Sequence, residues 1–261
     1  MTEDFDIASA QYDTAFTFSK IGKAQRKMVF KYLNPILTQR QKLSILELNC
    51  GTGEDAIRFA QLGHHVLATD ISEGMINVAK AKSHSKNLAF KIQDINTLDR
   101  AIFKTKFDII FSNFGGFNCL SHQQIQDFFE TAPQLLKPKG KIILVIMPKK
   151  SLWECLYFTL KGQLNKANRR RTNTSIVANV EGIKVDTWYH NPDTIVSAST
   201  SNFIPEQIRP IGLSIPPSYL ESSIFANRLF ISIYLGIDYL LTHEFWSEYA
   251  DHFLIELTKT S

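Results

Sequence analysis

The sequence feature that most constrains the fold is the stretch Ser44-Ile-Leu-Glu-Leu-Asn-Cys-Gly-Thr-Gly53. It predicts a short buried strand over residues 43–48, a tight turn at Gly51 and Gly53, and a helix that opens with two acidic residues. A strand, a glycine turn and a helix N-terminus together bring the backbone close to a nucleotide-type ligand. We therefore expect an α/β protein whose ligand binds at this turn. Gly-x-Gly-x-x-Ala, completed by Ala56, would also fit a dinucleotide-binding turn.

Two carboxylates narrow the kind of ligand. Glu47 lies inside the predicted strand, where it would repel a pyrophosphate but attract the α-ammonium of a methionine moiety. Asp70 ends the next apolar run, residues 65–70, and could accept hydrogen bonds from both hydroxyls of a ribose. Glu-Leu-x-Cys-Gly-Thr-Gly followed by Ala-Thr-Asp resembles the class I S-adenosylmethionine (SAM)-dependent methyltransferases. The alternative is an ordinary α/β turn with an incidental acid.

The resemblance implies SAM as the cofactor and S-adenosyl-L-homocysteine as its product. It implies that Tyr12 contributes to SAM binding and closure of the site, that Asp94 approaches the adenine amine, and that Ile95 packs on the adenine ring. On the residues alone, Tyr12 could instead be a half-buried residue of a helix on the sheet edge, and Asp94 could simply cap a turn. The expected cofactor-binding residues are Tyr12, Glu47, Asn49, Cys50, Gly51, Thr52, Gly53, Asp70, Ile71, Met75, Asp94, Ile95, Asn113 and Phe114.

Strand and helix patterns alternate from residue 43 onward, as a doubly wound sheet requires. The predicted strands cover residues 43–48, 65–69, 88–93, 107–112, 140–146, 207–215 and 252–258, and the predicted core helices lie near 54–62, 73–82 and 122–136. The resemblance implies a Rossmann-like sheet of seven strands in the order 3-2-1-4-5-7-6, the last strand antiparallel. We expect a single domain in three parts: an N-terminal arm and SAM-binding core (1–149), an inserted cap (150–192), and a segment that completes the sheet (193–261).

The expected cap combines a helix over 150–167 with a β-hairpin of runs 175–180 and 183–190, joined at Glu181-Gly182. In the family that the chain resembles, an insertion at this place commonly covers the substrate. The triplet Arg169-Arg170-Arg171 follows the helix. Such a charge run is usually a solvated face, which is our expectation here, although it could also bind an anionic substrate or RNA.

Composition excludes several classes of function. A formal net charge of +4 is too small to argue for nucleic acid. The loop after the fourth strand reads Asn113-Phe-Gly-Gly116, without the two prolines of amino-methylating DNA enzymes, so we expect no DNA substrate. The three cysteines have no metal-ligand spacing and the N-terminus has no apolar signal core, which favours the cytoplasm.

Methyl transfer from a sulfonium needs positioning and exclusion of water more than any particular catalytic residue. If the acceptor carries a hydroxyl, a base would help, and the candidates are His122, His190, His243 and Glu244. We favour His190, at the end of the cap hairpin, without a motif that singles it out. Asp108 lies inside the fourth strand without a companion carboxylate, so we expect no metal.

The leading hypothesis is a SAM-dependent methyltransferase for a small apolar or aromatic metabolite, because the cap is rich in aromatic residues with few paired polar groups. O- or N-methylation is favoured and C-methylation is possible. One alternative is an RNA or protein methyltransferase that uses the basic region 149–171. Another is a SAM-binding protein without transferase activity.

The apolar run 229–241 poses a separate question. It is too short to cross a bilayer, and Asp238 interrupts it. Phe230, Ile233 and Ile237 recur at helical spacing. We therefore expect a helix whose stripe of these residues packs against the sheet or cap, with its aromatic residues partly lining the acceptor pocket. We also expect no flotation of the protein with liposomes at physiological salt.

Overall fold

The protein is described by a computed structural model that covers residues 9, 12–38, 41–180 and 183–260. Much of the expected N-terminal arm (residues 1–8, 10 and 11) and the expected hairpin turn at Glu181-Gly182 lie outside the described residues. The helices are α1 (Lys20–Leu37), α2 (Glu54–Gln61), α3 (Glu73–Lys82), α4 (His122–Leu135), α5 (Leu152–Leu160), α6 (Leu164–Ala167), α7 (Pro192–Ser199) and α8 (Arg228–Leu240). The strands are β1 (Ser44–Leu48), β2 (His65–Asp70), β3 (Leu88–Ile92), β4 (Phe107–Ser112), β5 (Leu136–Ile146), β6 (Ile176–Val180), β7 (Ile183–Thr187), β8 (Phe203–Ile211) and β9 (His252–Lys259).

Seven strands form the central sheet in the order β3-β2-β1-β4-β5-β9-β8. The first five are parallel to one another, and β9 runs antiparallel between β5 and β8. This confirms the predicted order and the antiparallel last strand. Since β9 begins at the edge where the parallel strands end, its first residues lie at the carboxyl edge of the sheet.

The central strands of the sheet are buried on both faces, as their near-continuous apolar sequences require. Neighbouring residues of β1 point to opposite sides: Ile45 belongs to the core under α1 and α2, whereas Leu46 and Leu48 belong to the core under α4. Burial of both layers fixes the register, with Leu46 beside Leu67 of β2 and Ile110 of β4.

Several element bounds differ from the prediction. Strand β5 begins at Leu136 instead of 140, and β8 covers Phe203–Ile211 instead of 207–215. Pro205 lies near the start of β8, and proline is tolerated there because β8 is an edge strand. The expected helix over 150–167 is broken at Gly162, whose φ is +68°.

The cap is fastened to the sheet through Asn118. Strands β6 and β7 form a separate two-stranded sheet. After β7, the Trp188 N–H donates to the Asn118 carbonyl at 2.7 Å. The Asn118 amide donates in turn to the carbonyls of Trp188 (2.7 Å) and Met147 (3.1 Å). One buried side chain therefore joins the cap, the loop after β4 and the end of β5.

Helix α8 is oriented differently from our expectation. Ile231 and Asp238 are buried, whereas Phe230, Ile233 and Ile237 are exposed. The Asp238 carboxylate accepts hydrogen bonds from the backbone N–H groups of Leu213 and Ser214, at 3.1 and 2.7 Å. Because these hydrogen bonds satisfy the buried Asp238 carboxylate, the side of the helix that carries Asp238 faces the protein. The prediction that the opposite, apolar side packs on the protein was wrong. Within the described residues, no helix is long and apolar enough to cross a membrane.

Candidate active site

A cavity of about 600 Å³ opens at the carboxyl edge of the sheet, between the strand ends and the cap. Nine of the expected cofactor-binding residues line it: Tyr12, Asn49, Gly51, Asp70, Ile71, Met75, Asp94, Ile95 and Phe114. The structure therefore brings together residues from the N-terminal arm and from the ends of β1, β2, β3 and β4. Further lining residues come from the cap and from the start of β9.

The turn after β1 is held by Asp70. One carboxylate oxygen accepts from the Gly51 N–H at 2.8 Å, and the other accepts from the Ser72 N–H at 3.0 Å. Gly51 has a φ of +51°, and a Cβ built on it would meet only Tyr12, at 3.8 Å. The strand-end carboxylate thus fixes the glycine turn and lines the cavity next to it.

Asn49 links that turn to the loop after β4. It has a φ of +47°, which asparagine tolerates better than most residues. Its carboxamide accepts from the Ser112 hydroxyl at 2.6 Å and donates to the Asn113 carbonyl at 3.1 Å. A Cβ on Gly116 would lie 1.9 Å from the Asn49 carboxamide carbon, so only glycine allows this approach.

Two buried acceptors near the turn have no hydrogen-bond partner among the described residues. They are Oε2 of Glu47 and Oδ1 of Asn113. Burial raises the pKa of Glu47 well above its ordinary value. The nearby Asp55 carboxylate raises this pKa further, whereas the positive charge of Arg26 opposes the rise. The Asn113 amide donates to Asp55 at 2.8 Å, which leaves only its oxygen unsatisfied. Such a pair of acceptors suits a ligand that carries N–H donors and positive charge.

The described part of the N-terminal arm lies across the glycine turn. The Thr52 hydroxyl donates to the Asp13 carboxylate at 2.5 Å, and Lys82 pairs with the same carboxylate. Tyr12 and Phe16 line the cavity, with ring centroids 5.9 Å apart. Burial raises the pKa of Tyr12 to about 12, so its hydroxyl stays protonated and can donate.

Asp94 lines the cavity and also caps the turn that follows β3. Its carboxylate accepts from the Asn96 N–H at 2.8 Å. Asp94 can therefore cap the turn and face a ligand in the cavity at the same time, so the two interpretations that the sequence left open do not exclude each other. Ile95, the next residue, lines the cavity beside it.

Five expected residues do not line the cavity: Glu47, Cys50, Thr52, Gly53 and Asn113. Gly53 is instead required for packing, because a Cβ there would lie 2.8 Å from the ring of Phe90 at a φ of +79°. Cys50 is buried, which raises the pKa of its thiol well above the ordinary value.

His190, the favoured base, is buried away from the cavity lining. Its Nε2 lies 3.0 Å from the Leu120 carbonyl and donates to it, since a carbonyl only accepts. Burial, with His122 beside it, lowers the pKa of His190 to about 4. These contacts describe a neutral histidine that ties the end of the cap to the loop after β4.

Ion pairs that we did not predict lie at the cap end of the cavity. Glu154 on α5 binds Arg169 through both oxygens, at 2.5 and 3.1 Å, and also binds Arg170 at 2.9 Å. Arg170 reaches Asp251, before β9, at 2.7 Å. The expectation of a solvated arginine triplet was wrong for Arg170, which is buried, and correct for Arg171, which is exposed. The expectation of few paired polar groups in the cap was also wrong.

His252 is the second feature that we did not predict. It is buried at the first position of β9, lines the cavity, and its ring centroid lies 5.4 Å from that of Phe114. Its Nδ1 lies 3.2 Å from the Asp251 carboxylate. A histidine that opens an antiparallel last strand must lie at the carboxyl edge of the sheet, and this signal was available in the sequence. In the described part of the chain, no cluster of three or more His, Cys, Asp or Glu residues is arranged to hold a metal ion.

The seven-stranded sheet, its single antiparallel strand and the cavity at its carboxyl edge define the class I methyltransferase fold. Residues 45–140 match the family model described as a methyltransferase domain. Residues 45–140 are therefore similar to a methyltransferase domain, and the fold of the chain is that of the class I SAM-dependent methyltransferases.

Two curated relatives show how far the sequence similarity extends. The malonyl-[acyl-carrier protein] O-methyltransferase of Bacillus anthracis is 32% identical over 114 residues, which is 42% of this chain and 39% of that protein. The demethylmenaquinone methyltransferase of Clavibacter sepedonicus is 28% identical over 142 residues, 54% of this chain and 55% of that one. The chain thus matches about two fifths to one half of the length of these relatives.

Solved structures share the fold over most of the chain. A SAM-dependent methyltransferase from Mesorhizobium loti has a TM-score of 0.57 at 15% identity, covering 88% of this chain and 96% of that one. The magnesium protoporphyrin IX methyltransferase of Synechocystis, solved with bound S-adenosyl-homocysteine, has a TM-score of 0.57 at 16% identity, covering 92% of this chain and 86% of that one. At this level of identity the likeness concerns the fold.

Proposed function

We propose that the protein transfers the methyl group of SAM to a small acceptor that binds between the strand ends and the cap. The observation that carries the proposal is the cavity at the carboxyl edge of the sheet, which Asp70, Asp94 and Gly51 line together. Behind this lining, Glu47 Oε2 and Asn113 Oδ1 are buried acceptors without a partner among the described residues, and an α-ammonium group that reaches them would supply the missing donors.

The remaining cofactor contacts follow from the cavity lining. Asp70 would accept from the ribose hydroxyls, since it lines the cavity beside the glycine turn that it holds. Asp94 would accept from the adenine amine, and Ile95 would pack on the ring. Tyr12, from the arm, would cover the cofactor and exclude water.

The acceptor would occupy the cap end of the cavity. Phe158 and Tyr219 line this end, and their rings are stacked with centroids 6.0 Å apart, which favours an aromatic or apolar body. When bound, SAM supplies a methyl carbon that its sulfonium activates. His252 faces the same space, and we infer that it takes the proton of an acceptor hydroxyl while Asp251 stabilises the resulting imidazolium. This inference favours O-methylation over C-methylation.

The test combines binding and turnover. Asp70→Ala should weaken SAM binding by about 1–3 kcal/mol in calorimetric titration, because charged hydrogen bonds are lost. His252→Gln should leave SAM affinity unchanged and lower kcat, measured as S-adenosyl-homocysteine release across a panel of phenolic and carboxylic acceptors. Unchanged affinity in Asp70→Ala would contradict the cofactor site, and unchanged kcat in His252→Gln would contradict the base.

The alternative functions make different predictions in the same assays. The inward ion pairs of Arg169 and Arg170 leave Arg171 as the exposed member of the basic triplet, which weakens the case for RNA. Methylation of RNA would give activity that falls steeply with salt. A binding protein without transferase activity would titrate with SAM yet turn over none of the acceptors.

A further inference from the structure

The outward face of α8 is an uncovered apolar surface. Its exposed side chains include Leu229 (66%), Phe230 (41%), Ile233 (49%), Ile237 (38%) and Leu240 (82%). The one carboxylate of the helix, Asp238, is turned inward and held by backbone donors. The outward face therefore carries no negative charge, and it is much more apolar than a solvated helix face normally is.

A basic groove adjoins this face. Its volume is about 410 Å³, and Lys23, Lys27 and Lys31 of α1 and Arg58 of α2 line it. Arg26 also lines the groove but is paired with Asp55 at 2.8 Å. Within the described lining, Glu54 is the single carboxylate, so the groove has a clear excess of positive charge.

The groove and the apolar face meet at Tyr239. This residue of α8 lines the groove, and Lys31 donates to its carbonyl at 3.0 Å. The Lys31 ammonium also lies 4.3 Å from the Tyr239 ring centroid. The sequence around α8 offers only Arg228 as a nearby cation; α1 supplies the others through tertiary packing.

We propose that α8 and the basic groove together form a docking surface for an anionic phospholipid bilayer. This proposal reverses our expectation from the sequence that the protein does not float with liposomes, because that expectation placed Phe230, Ile233 and Ile237 against the protein. A helix of this length, about 20 Å at ~1.5 Å per residue, would lie in the plane of the bilayer surface and not cross it. Its apolar side chains would enter the boundary of the acyl chains, and the groove would hold headgroup phosphates. Lysines near the surface of an anionic membrane are attracted to it, and each one adds to the binding.

A second copy of the chain fits this surface less well. A two-fold symmetric contact pairs a patch with itself, so the lysines of one groove would approach those of the other. The same lysines that would repel each other in such a dimer would be attracted to an anionic membrane. The charge distribution therefore favours the lipid surface.

The experiment is co-sedimentation with vesicles of phosphatidylcholine alone and of phosphatidylcholine mixed with phosphatidylglycerol. The wild-type protein should bind only the mixed vesicles, and added salt should weaken the binding. Phe230→Ser/Ile233→Ser and Lys23→Glu/Lys27→Glu should each lower the vesicle affinity by about tenfold or more. Thermal unfolding of each variant shows that the fold is retained.

Matched controls separate this surface from general stickiness. Ile204→Ser removes a side chain that is 57% exposed on the edge strand β8, and Lys104→Glu/Lys106→Glu reverses two exposed lysines before β4. Both controls should bind vesicles like the wild type. The proposal is overturned if the wild-type protein does not bind the mixed vesicles, or if the controls lose as much binding as the test variants. It is also overturned if the wild-type protein is a dimer that binds no vesicles and Phe230→Ser/Ile233→Ser converts it to a monomer, because α8 would then be a contact between two copies of the chain. SAM binding plays no part in any of these outcomes.

Discussion

At the scale of single residues, Glu47 lies in an environment that disfavours its negative charge. Its carboxyl group is buried inside β1, and burial raises its pKa well above the ordinary value of 4.5. Burial therefore favours the neutral form of this carboxyl group more than water does. A bound α-ammonium would reverse this preference, because a neighbouring positive charge favours the carboxylate.

Glu47 should accordingly release a proton when SAM binds at a pH where its carboxyl group is still partly protonated and the α-amino group of the ligand is charged. Calorimetric titration in two buffers of different ionisation enthalpy measures that proton directly. Glu47→Gln should abolish the buffer dependence and weaken binding by about 1.5–3 kcal/mol. Glu54→Gln, at the start of α2, is the control and should release the same proton as the wild type. Binding without proton release by the wild type would show that Glu47 does not face the ammonium.

At the scale of secondary-structure elements, Arg170 joins the cap to the sheet. It binds Glu154 of α5 and Asp251 before β9, and all three side chains are buried. Burial alone would raise the pKa of Asp251, but His252 and Arg170 outweigh it and hold this pKa below the ordinary value. Burial also opposes ionisation of Glu154, and Arg170 with Arg169 again lowers its pKa.

Arg170→Met should lower the free energy of unfolding by about 3–5 kcal/mol at pH 7, because it leaves two buried carboxylates without their shared partner. Both carboxyl groups have lowered pKa values in the folded state, so the stability that they supply is present above their unfolded values and is lost as pH falls through the folded values. Denaturant unfolding should therefore show a smaller gap between wild type and variant at pH 3 than at pH 7. Arg171→Met, at an exposed position, should change little at either pH. A gap that is as large at pH 3 would rule out the ionic explanation.

The elements also show what the sequence could and could not predict. The positions of the strands and core helices followed from hydrophobic periodicity, whereas the order of the strands was implied by the resemblance to a known family. The orientation of α8 did not follow, because apolar residues occupy more than one side of that helix. The hydrogen bonds of Asp238 decide the matter, and their donors lie in a distant loop. The partners of Arg170 are likewise separated from it in sequence, so a local charge run could not reveal them.

The candidate site was predictable to the extent that it depends on strand ends. Asp70, Asp94 and Phe114 each follow from the position of a parallel strand, and each lines the cavity. Gly53 belongs to the same turn motif as Gly51, but it packs against the Phe90 ring and does not line the cavity. Only the folded structure shows this difference. The location of His252 in the site could be predicted only by combining two facts. The last strand runs antiparallel to its neighbours, and His252 is the first residue of that strand.

At the scale of the whole molecule, the stability of the central sheet depends on β9 but not on the cap hairpin. Strand β9 pairs with β5 on one side and with β8 on the other, whereas β6 and β7 pair only with each other. A chain that ends at Ala250 should therefore lose cooperative thermal unfolding and aggregate, since both neighbours would present open edges. Replacement of residues 175–187 by a short Gly-Ser linker, a deletion of similar size, should keep a cooperative transition. Equal behaviour of the two deletions in calorimetry would show that β9 is dispensable.

The place of β9 between β5 and β8 also bears on how the protein is made. On the ribosome, β1 to β5 emerge first, and β5 has no partner on its outer edge until residues 252–259 have left the exit tunnel. At about 5–20 residues per second, the intervening segment takes roughly 5–20 s to synthesise. During that interval the nascent chain exposes an unpaired apolar strand, and the wall of the cavity that Asp251 and His252 supply does not yet exist. We therefore expect the cavity to close around a ligand only after β9 has been translated, and the open edge of β5 to be exposed to other chains until then.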